Sequence, residues 1–265
     1  MKIGFIGGGK MAEAILADII ATKTVDANDI YVTDINEDRL KILNKLHSVK
    51  TVTNSGLLLE SVDIVFMAVK PQCLSEVLIE MKPNVSNKHL IISIAAGKNI
   101  AFIEKLLPES RVIRVMPNMA ALVSEGMSVF CTGTHTTEAD HKNAITLLSC
   151  SGKLRELPEE QFDAVTAVSG SGPAFFTYFL SLVIDAGEQL GLEHENAEIL
   201  ACQTMLGTAT LLTKGQFNPA KLIETISSAK GTTIAGMEVL KNSPIKQAVY
   251  DTLTATAKRS AELSN

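Results

Sequence analysis

Residues 2–12 read Lys2-Ile3-Gly4-Phe5-Ile6-Gly7-Gly8-Gly9-Lys10-Met11-Ala12, and the fold turns on how they are read. Ile3 to Ile6 form a short apolar run of the kind that suits a strand covered on both faces. The run passes without a spacer into a glycine turn, where Gly7, Gly9 and Ala12 take the three fixed positions of G-x-G-x-x-G/A. From Glu13 to Ala21 the apolar residues Ile15, Leu16, Ile19 and Ile20 recur with helical spacing. The triplet alone is a weak signal, but strand, glycine turn and helix in immediate succession make a strong one. One glycine closes the tight turn and the next lets the backbone approach a pyrophosphate. The small third residue lets helix and strand pack, and the helix N-terminus offers free N–H groups to the anion. The stretch therefore predicts a dinucleotide-binding strand–helix–strand unit.

The pattern continues. A second strand is expected at Ile30–Asp34, with Asp34 at its end, 25 positions beyond Gly9. A carboxylate at this place accepts hydrogen bonds from an adenosine ribose and repels a 2′-phosphate, which leans toward NADH over NADPH. Arg39, a few residues on, pulls the other way, and Asp34 equally suits a turn or a helix cap. Further strands are expected at 62–69, 89–94 and 111–116, with helical segments near 71–81 and 99–107. Alternating strands and helices give an α/β fold with a parallel, doubly wound sheet. Ligands of such sheets bind beyond the carboxyl ends of the strands, so Lys70, Ala95, Ala96 and Asn118 should share one rim with the glycine turn. The small residues of Ala95-Ala96-Gly97 would let a flat ring lie against backbone.

After a last pair of strands near 127–131 and 153–157 the strand signals stop. Helical periodicity covers 161–190, broken at Ser169-Gly170-Ser171-Gly172-Pro173, and then 193–213, 219–226, 233–241 and 245–262. The expected division is a dinucleotide-binding Rossmann domain at 1–157 and a helical dimerisation and substrate domain at 158–265. Phe175, Phe176, Tyr178, Phe179 and Leu180 put apolar surface on more than one face of a helix. That implies a large subunit interface and an obligate dimer. Ser227-Ser228-Ala229-Lys230-Gly231-Thr232-Thr233 leads into another helix, whose N-terminus suits a carboxylate.

Composition narrows the classes. The 265 residues are 46% hydrophobic and 20% charged, with net charge −5. No basic run marks a nucleic-acid surface, and no stretch is read as reaching the ~18 apolar residues of a membrane span. Cys73, Cys131, Cys150 and Cys202 lie far apart, without zinc-ligand spacing, and read as reduced, mostly buried thiols of a cytoplasmic protein. The five scattered histidines suggest no metal site.

The chain resembles pyrroline-5-carboxylate reductase over essentially its whole length. The stretches that carry the resemblance are FIGGGKMAEAI, FMAVKPQ, SIAAG, RVMPN, AVSGSGPAFFTYFLSLVIDAGEQLGL and SSAKGTTIAGMEVL. It implies reduction of 1-pyrroline-5-carboxylate to L-proline, the last step of proline biosynthesis, with NADPH or NADH as cofactor. It implies an N-terminal Rossmann domain and a helical domain that dimerises and completes the site, with a decamer built as a pentamer of dimers as a further assembly. Ile6, Gly7, Gly8, Gly9, Lys10, Met11, Asn54, Ala68, Val69, Lys70, Pro71, Ile94, Ala95 and Ala96 would line the cofactor. Ser228, Gly231, Thr232 and Thr233 would bind substrate, with Thr233 on the ring nitrogen and the N–H groups of 231–233 on the carboxylate. Two departures stand out: Lys230 replaces a glycine of the family's S-P-G-G-T-T, and Met119-Ala120-Ala121 follows MPN where T-P-A is usual.

The implied chemistry suits these residues. A cyclic imine is basic enough to arrive protonated, so placement supplies most of the rate and a hydroxyl such as Thr233 suffices to orient the nitrogen. β-Hydroxyacid dehydrogenases share the two-domain plan but use a lysine in G-x-G-x-x-x-K; here Phe176 stands at that place and cannot move a proton. A non-catalytic cofactor-binding sensor is the alternative from another class. Lys230 and Met119 favour it, and the intact threonine pair and SGSGP stretch oppose it.

Overall fold

The structure is a computed structural model and describes residues 1–228 and 230–264. Its contacts divide the chain into two compact units, Met1–Ser171 together with the chain from Thr256 onward, and Gly172–Ala255.

The first unit opens with β1 (Ile3–Ile6), α1 (Lys10–Ala21), β2 (Ile30–Thr33), α2 (Glu37–His47), β3 (Lys50–Thr51), α3 (Ser55–Ser61) and β4 (Ile64–Met67). It continues with α4 (Leu74–Met81), β5 (Leu90–Ser93), α5 (Ile100–Leu106), β6 (Arg111–Met116), β7 (Gly126–Thr132), α6 (Glu138–Leu148), β8 (Gly152–Glu156) and α7 (Phe162–Val165). The strands form one sheet in the order β3-β2-β1-β4-β5-β6-β7-β8. The order reverses between β1 and β4, which is where a doubly wound sheet opens a crevice for ligand. Phe5 pairs with Val32 on one side and Phe66 on the other, and the Phe5 and Phe66 rings stack at 4.6 Å. All four residues of β1 and of β4 are buried, which is why these strands read as unbroken apolar runs.

The sheet is not wholly parallel: β7 runs antiparallel to β6, with Met116 opposite Val129, while β8 is parallel to β7. The link 117–125 holds only a 3₁₀ turn at Met119–Val123, too short for the crossover that a parallel neighbour needs. Three helices that the apolar periodicity did not single out are fixed by polar caps. Asn36 accepts from the amides of Asp38 and Arg39 at the start of α2, Asn54 from Leu57 N at α3, and Thr137 and Asp140 form a capping box on α6.

The expected interruption near Ser169 is a π-helical turn at Thr166–Gly170, from which α8 (Gly172–Gln189) continues. The contact division falls after Ser171 rather than at 157, because Phe162 and Val165 bury their side chains against the sheet. Ser260 Oγ donates to Asp163 Oδ1 at 2.7 Å, tying the chain's last helix to the same unit.

The second unit contains α8, α9 (His194–Thr213), α10 (Pro219–Ile226), α11 (Thr232–Asn242) and the start of α12 (Ile245–Ser264). On α8, Phe176, Tyr178, Phe179, Leu182 and Val183 are exposed, as are Ile199, Leu200 and Leu206 on α9. One helical stretch, Glu159–Gln189, is long and apolar enough to cross a membrane by length and composition, which corrects the expectation that none is. The cysteines also differ from expectation: only Cys131 is buried, Cys150 is half-buried, and Cys73 and Cys202 are exposed.

Candidate cofactor and substrate sites

The glycine turn is built by its neighbours. Gly7 has φ +98°, and a Cβ there would stand 2.6 Å from the carbonyl oxygen of Ala68. Only glycine tolerates both conditions. Gly7 N donates to Thr33 O at 2.8 Å, Ala68 N to Ile6 O at 2.8 Å, and Ile94 N to Met67 O at 3.1 Å, so the ladder runs past the strand ends. It brings Ile6, Gly7, Ala68, Val69, Ile94 and Ala95 to one rim. Met11, Ala68 and Ile94 are half-buried against the same core cluster and make an apolar floor there. No side chain caps α1, whose N-cap is Gly9, and Lys10 at its first position is exposed. The tight glycine cradle and this uncapped helix start fit a pyrophosphate.

Asp34 is half-buried and braces the turn. Its Oδ2 accepts from Gly8 N at 2.6 Å, and its Oδ1 from Asn36 N at 2.8 Å. It is thus a turn residue as well as the acid at the end of β2, and Asn36, not Asp34, caps α2. A carboxylate has further lone pairs, so ribose hydroxyls remain within its capacity. Arg39 holds the same residue by its carbonyl: its Nε donates to Gly8 O at 2.5 Å, and its Nη2 to Glu13 Oε2 at 2.6 Å.

The remaining rim residues are placed as follows. Lys70 is exposed, and Pro71 starts a 3₁₀ turn. Asn54 spends its Oδ1 on capping α3. Ala96 is exposed, while Gly97, at φ +71°, lies against Leu263, where a Cβ would meet Leu263 Cβ at 3.0 Å. Asn118 is held from two sides: its Oδ1 accepts from Met127 N at 3.1 Å and its Nδ2 donates to Ser169 Oγ at 3.3 Å. A Cβ on Gly170 would require Met116 Cε, the end of a flexible side chain, to move aside.

In the second unit, α11 starts at Thr232 with Gly231 as its N-cap, and no side chain caps it. The loop before it turns on a bond from Gly231 N to Ser228 O at 2.9 Å. A Cβ on Gly231 would stand 2.9 Å from the Ser228 carbonyl oxygen, so a side chain there would require the loop backbone to shift. Lys230 occupies the left-handed region at φ +59°, where a glycine would sit without strain. Thr232 is exposed and Thr233 half-buried. Among the described residues the Thr233 hydroxyl makes no hydrogen bond.

Comparison with known proteins decides the family. A family model for pyrroline-5-carboxylate reductase dimerisation matches residues 159–263, and one described as NADP oxidoreductase, coenzyme F420-dependent, matches residues 2–97. The pyrroline-5-carboxylate reductase of Methanosarcina acetivorans is 38% identical over 99% of this chain and 97% of its own length. The chain belongs to the pyrroline-5-carboxylate reductase family. The Arabidopsis thaliana reductase is 36% identical over 99% of this chain and 95% of its own. Among solved pyrroline-5-carboxylate reductases, that of Coxiella burnetii superposes with a TM-score of 0.93 at 32% identity, covering 100% of this chain and 98% of that one. The Plasmodium falciparum enzyme, solved with NADP bound, gives 0.90 at 28% identity over the same shares.

Three residues of this family member escaped the sequence reading. Glu13 and His47 join Arg39 in one network, His47 Nε2 lying 3.0 Å from Glu13 Oε1. Ile35, directly after Asp34, is fully exposed. A lone apolar residue inside a polar turn was the available signal for Ile35; nothing local announces the pairing of Glu13 with Arg39, 26 residues apart.

Proposed function

We propose that this chain reduces 1-pyrroline-5-carboxylate to L-proline with a reduced nicotinamide dinucleotide, as the last step of proline biosynthesis. The observation that carries the reading is identity of 33–38% to reductases of that name along 99–100% of this chain, with both the glycine turn and the Gly231-Thr232-Thr233 helix start intact.

The chain supplies two anion-binding helix starts. The N-terminus of α1 receives the pyrophosphate, with Ile6 to Met11, Asn54, Ala68 to Pro71 and Ile94 to Ala96 around the dinucleotide. When bound, the reduced nicotinamide supplies the hydride. The N-terminus of α11 receives the substrate carboxylate on the amides of Gly231, Thr232 and Thr233, with Ser228 shaping the loop. The Thr233 hydroxyl orients the imine nitrogen. Because the imine carries its own proton, no strong side-chain acid is needed, and the phenyl group of Phe176 is no obstacle. Lys230 adds a positive charge beside the carboxylate.

At the adenosine end, Asp34 favours an unmodified ribose, so NADH is the preferred cofactor, and exposed Ile35 offers an apolar face to the adenine. The enzyme is proposed as an obligate dimer through the helical half, with a decamer as pentamer of dimers as the larger assembly. The dimerisation family model and the exposed apolar residues of α8 and α9 support the dimer. The functional division is proposed as 1–157 for cofactor and 158–265 for dimerisation and substrate, close to where that model begins. A partner subunit, rather than a membrane, is proposed to cover α8. The cysteines are free thiols, and a cytoplasmic setting is proposed for the chain.

A crystal structure with dinucleotide and proline tests these assignments. The reading requires the proline carboxylate on the Thr232 and Thr233 amides and the pyrophosphate on the Gly9–Met11 amides. Proline bound elsewhere, with α11 bare, would remove Thr233 from the site.

A further inference from the structure

We infer that Glu13 is a specificity-determining residue for the cofactor, acting by neutralising Arg39 and holding it against the glycine turn. The inference rests on the dinucleotide reading above and deepens it. Sequence alone offers Arg39 as a group that could turn toward a 2′-phosphate. The structure gives it a different post. Its Nε is spent on Gly8 O and its Nη2 on Glu13 Oε2, and His47 closes the network on the other Glu13 oxygen. The guanidinium is therefore both tethered and charge-compensated.

Its position makes that compensation matter. A Cβ placed on Gly8 would stand 3.5 Å from Asp34 Oδ2 and 3.6 Å from Arg39 Cγ, so the acid at the end of β2 and the arginine flank the same side of one residue. With Glu13 in place, this corner carries the Asp34 carboxylate and an arginine whose charge is cancelled, and a 2′-phosphate meets net repulsion. Without the Glu13 charge, the corner gains one uncompensated cation at the same location. The Arg39 hydrogen bond holds the Glu13 carboxyl below its ordinary range against the opposing effect of burial, with His47 adding to the lowering. Glu13 is therefore ionised at neutral pH. It is a positioning residue, since it acts through Arg39.

Equilibrium binding of NADH and NADPH to the whole protein, without substrate, tests this. The quantity read is the ratio of the NADPH to the NADH dissociation constant, which a general loss of stability would not move selectively. Glu13→Gln should lower that ratio by about three- to five-fold, the scale of a partly exposed ion pair. Glu13→Ala should do the same, and melting curves by circular dichroism check that each variant is folded. In an Arg39→Met background, Glu13→Gln should leave the ratio unchanged. An unchanged ratio in both Glu13 variants, or a shift that persists without Arg39, overturns the inference while leaving the dinucleotide reading intact. Failure of the wild-type protein to bind either cofactor overturns both.

Discussion

Gly7 and Ala68 lie so close that a Cβ on Gly7 would stand 2.6 Å from the Ala68 carbonyl oxygen. The first glycine of the turn is thus fixed by the end of the neighbouring strand β4 and by its own φ of +98°. The same contact sets the crevice between β1 and β4. Gly7→Ala should cost about 2 kcal/mol or more, from the unfavourable φ and the collision together. It should also weaken dinucleotide binding, because relief requires the turn to move away from Ala68. Urea midpoints and cofactor titration read the two effects; wild-type values for both would show that the turn relaxes freely.

Thr233 is half-buried at the start of α11, and Thr232 beside it is exposed. Thr233→Ala should reduce kcat/KM for the imine about ten-fold or more, the worth of an orienting hydrogen bond. Thr232→Ser keeps the amide and the hydroxyl and should stay near wild type. Equal activity of the two variants would take the Thr233 hydroxyl out of the reaction.

Lys230 sits at φ +59° in the loop before α11. Lys230→Gly removes a left-handed lysine, so stability should change by no more than about 1 kcal/mol and in the stabilising direction. The same change removes a cation near the proposed carboxylate site, so KM for the imine should rise. A clear loss of stability, or an unchanged KM, would contradict the role given to this side chain.

His89 is 1% exposed, its Nδ1 accepting from Ser86 N at 3.0 Å and its Nε2 lying 2.9 Å from Leu59 O. The Ser86 amide fixes Nδ1 as the acceptor and leaves the Nε2 proton to donate to Leu59 O. Burial pushes the imidazole below its ordinary value of 6.5. Above that value the ring is neutral in both states. As pH falls through it, the unfolded chain takes up a proton that the folded one resists, so stability declines toward acid. Exposed His194, beside Glu188, is raised and contributes with the opposite sign. The difference between wild type and His89→Asn isolates the buried ring: the variant should show a shallower fall in stability between neutral pH and about pH 5. Parallel curves would mean that His89 protonates without cost in the fold.

The parts legible in the sequence were those whose cause is local. β1, the turn and α1 follow from an apolar run, glycines at fixed offsets and helical spacing, all within residues 3–21. The C-terminal helices follow from periodicity, interrupted by Gly215, which adopts φ +72°, and restarted by Pro219 at the first position of α10. Two-residue β3 has no pattern to read, and α3 depends on the Asn54 cap. The direction of β7 is set by the length of its link to β6 rather than by its residues. Asp34 was legible as the acid after β2, but its bond to Gly8 joins residues 26 apart and shows only in the fold. The same holds for Arg39, which local sequence leaves free to turn outward and the structure pins to Gly8 and Glu13.

The most direct test of the central claim is turnover by the purified protein with 1-pyrroline-5-carboxylate, with NADH or NADPH supplied in turn. The account predicts imine-dependent oxidation of the reduced cofactor, faster with NADH, and one proline formed per cofactor consumed. No consumption with either cofactor would contradict it.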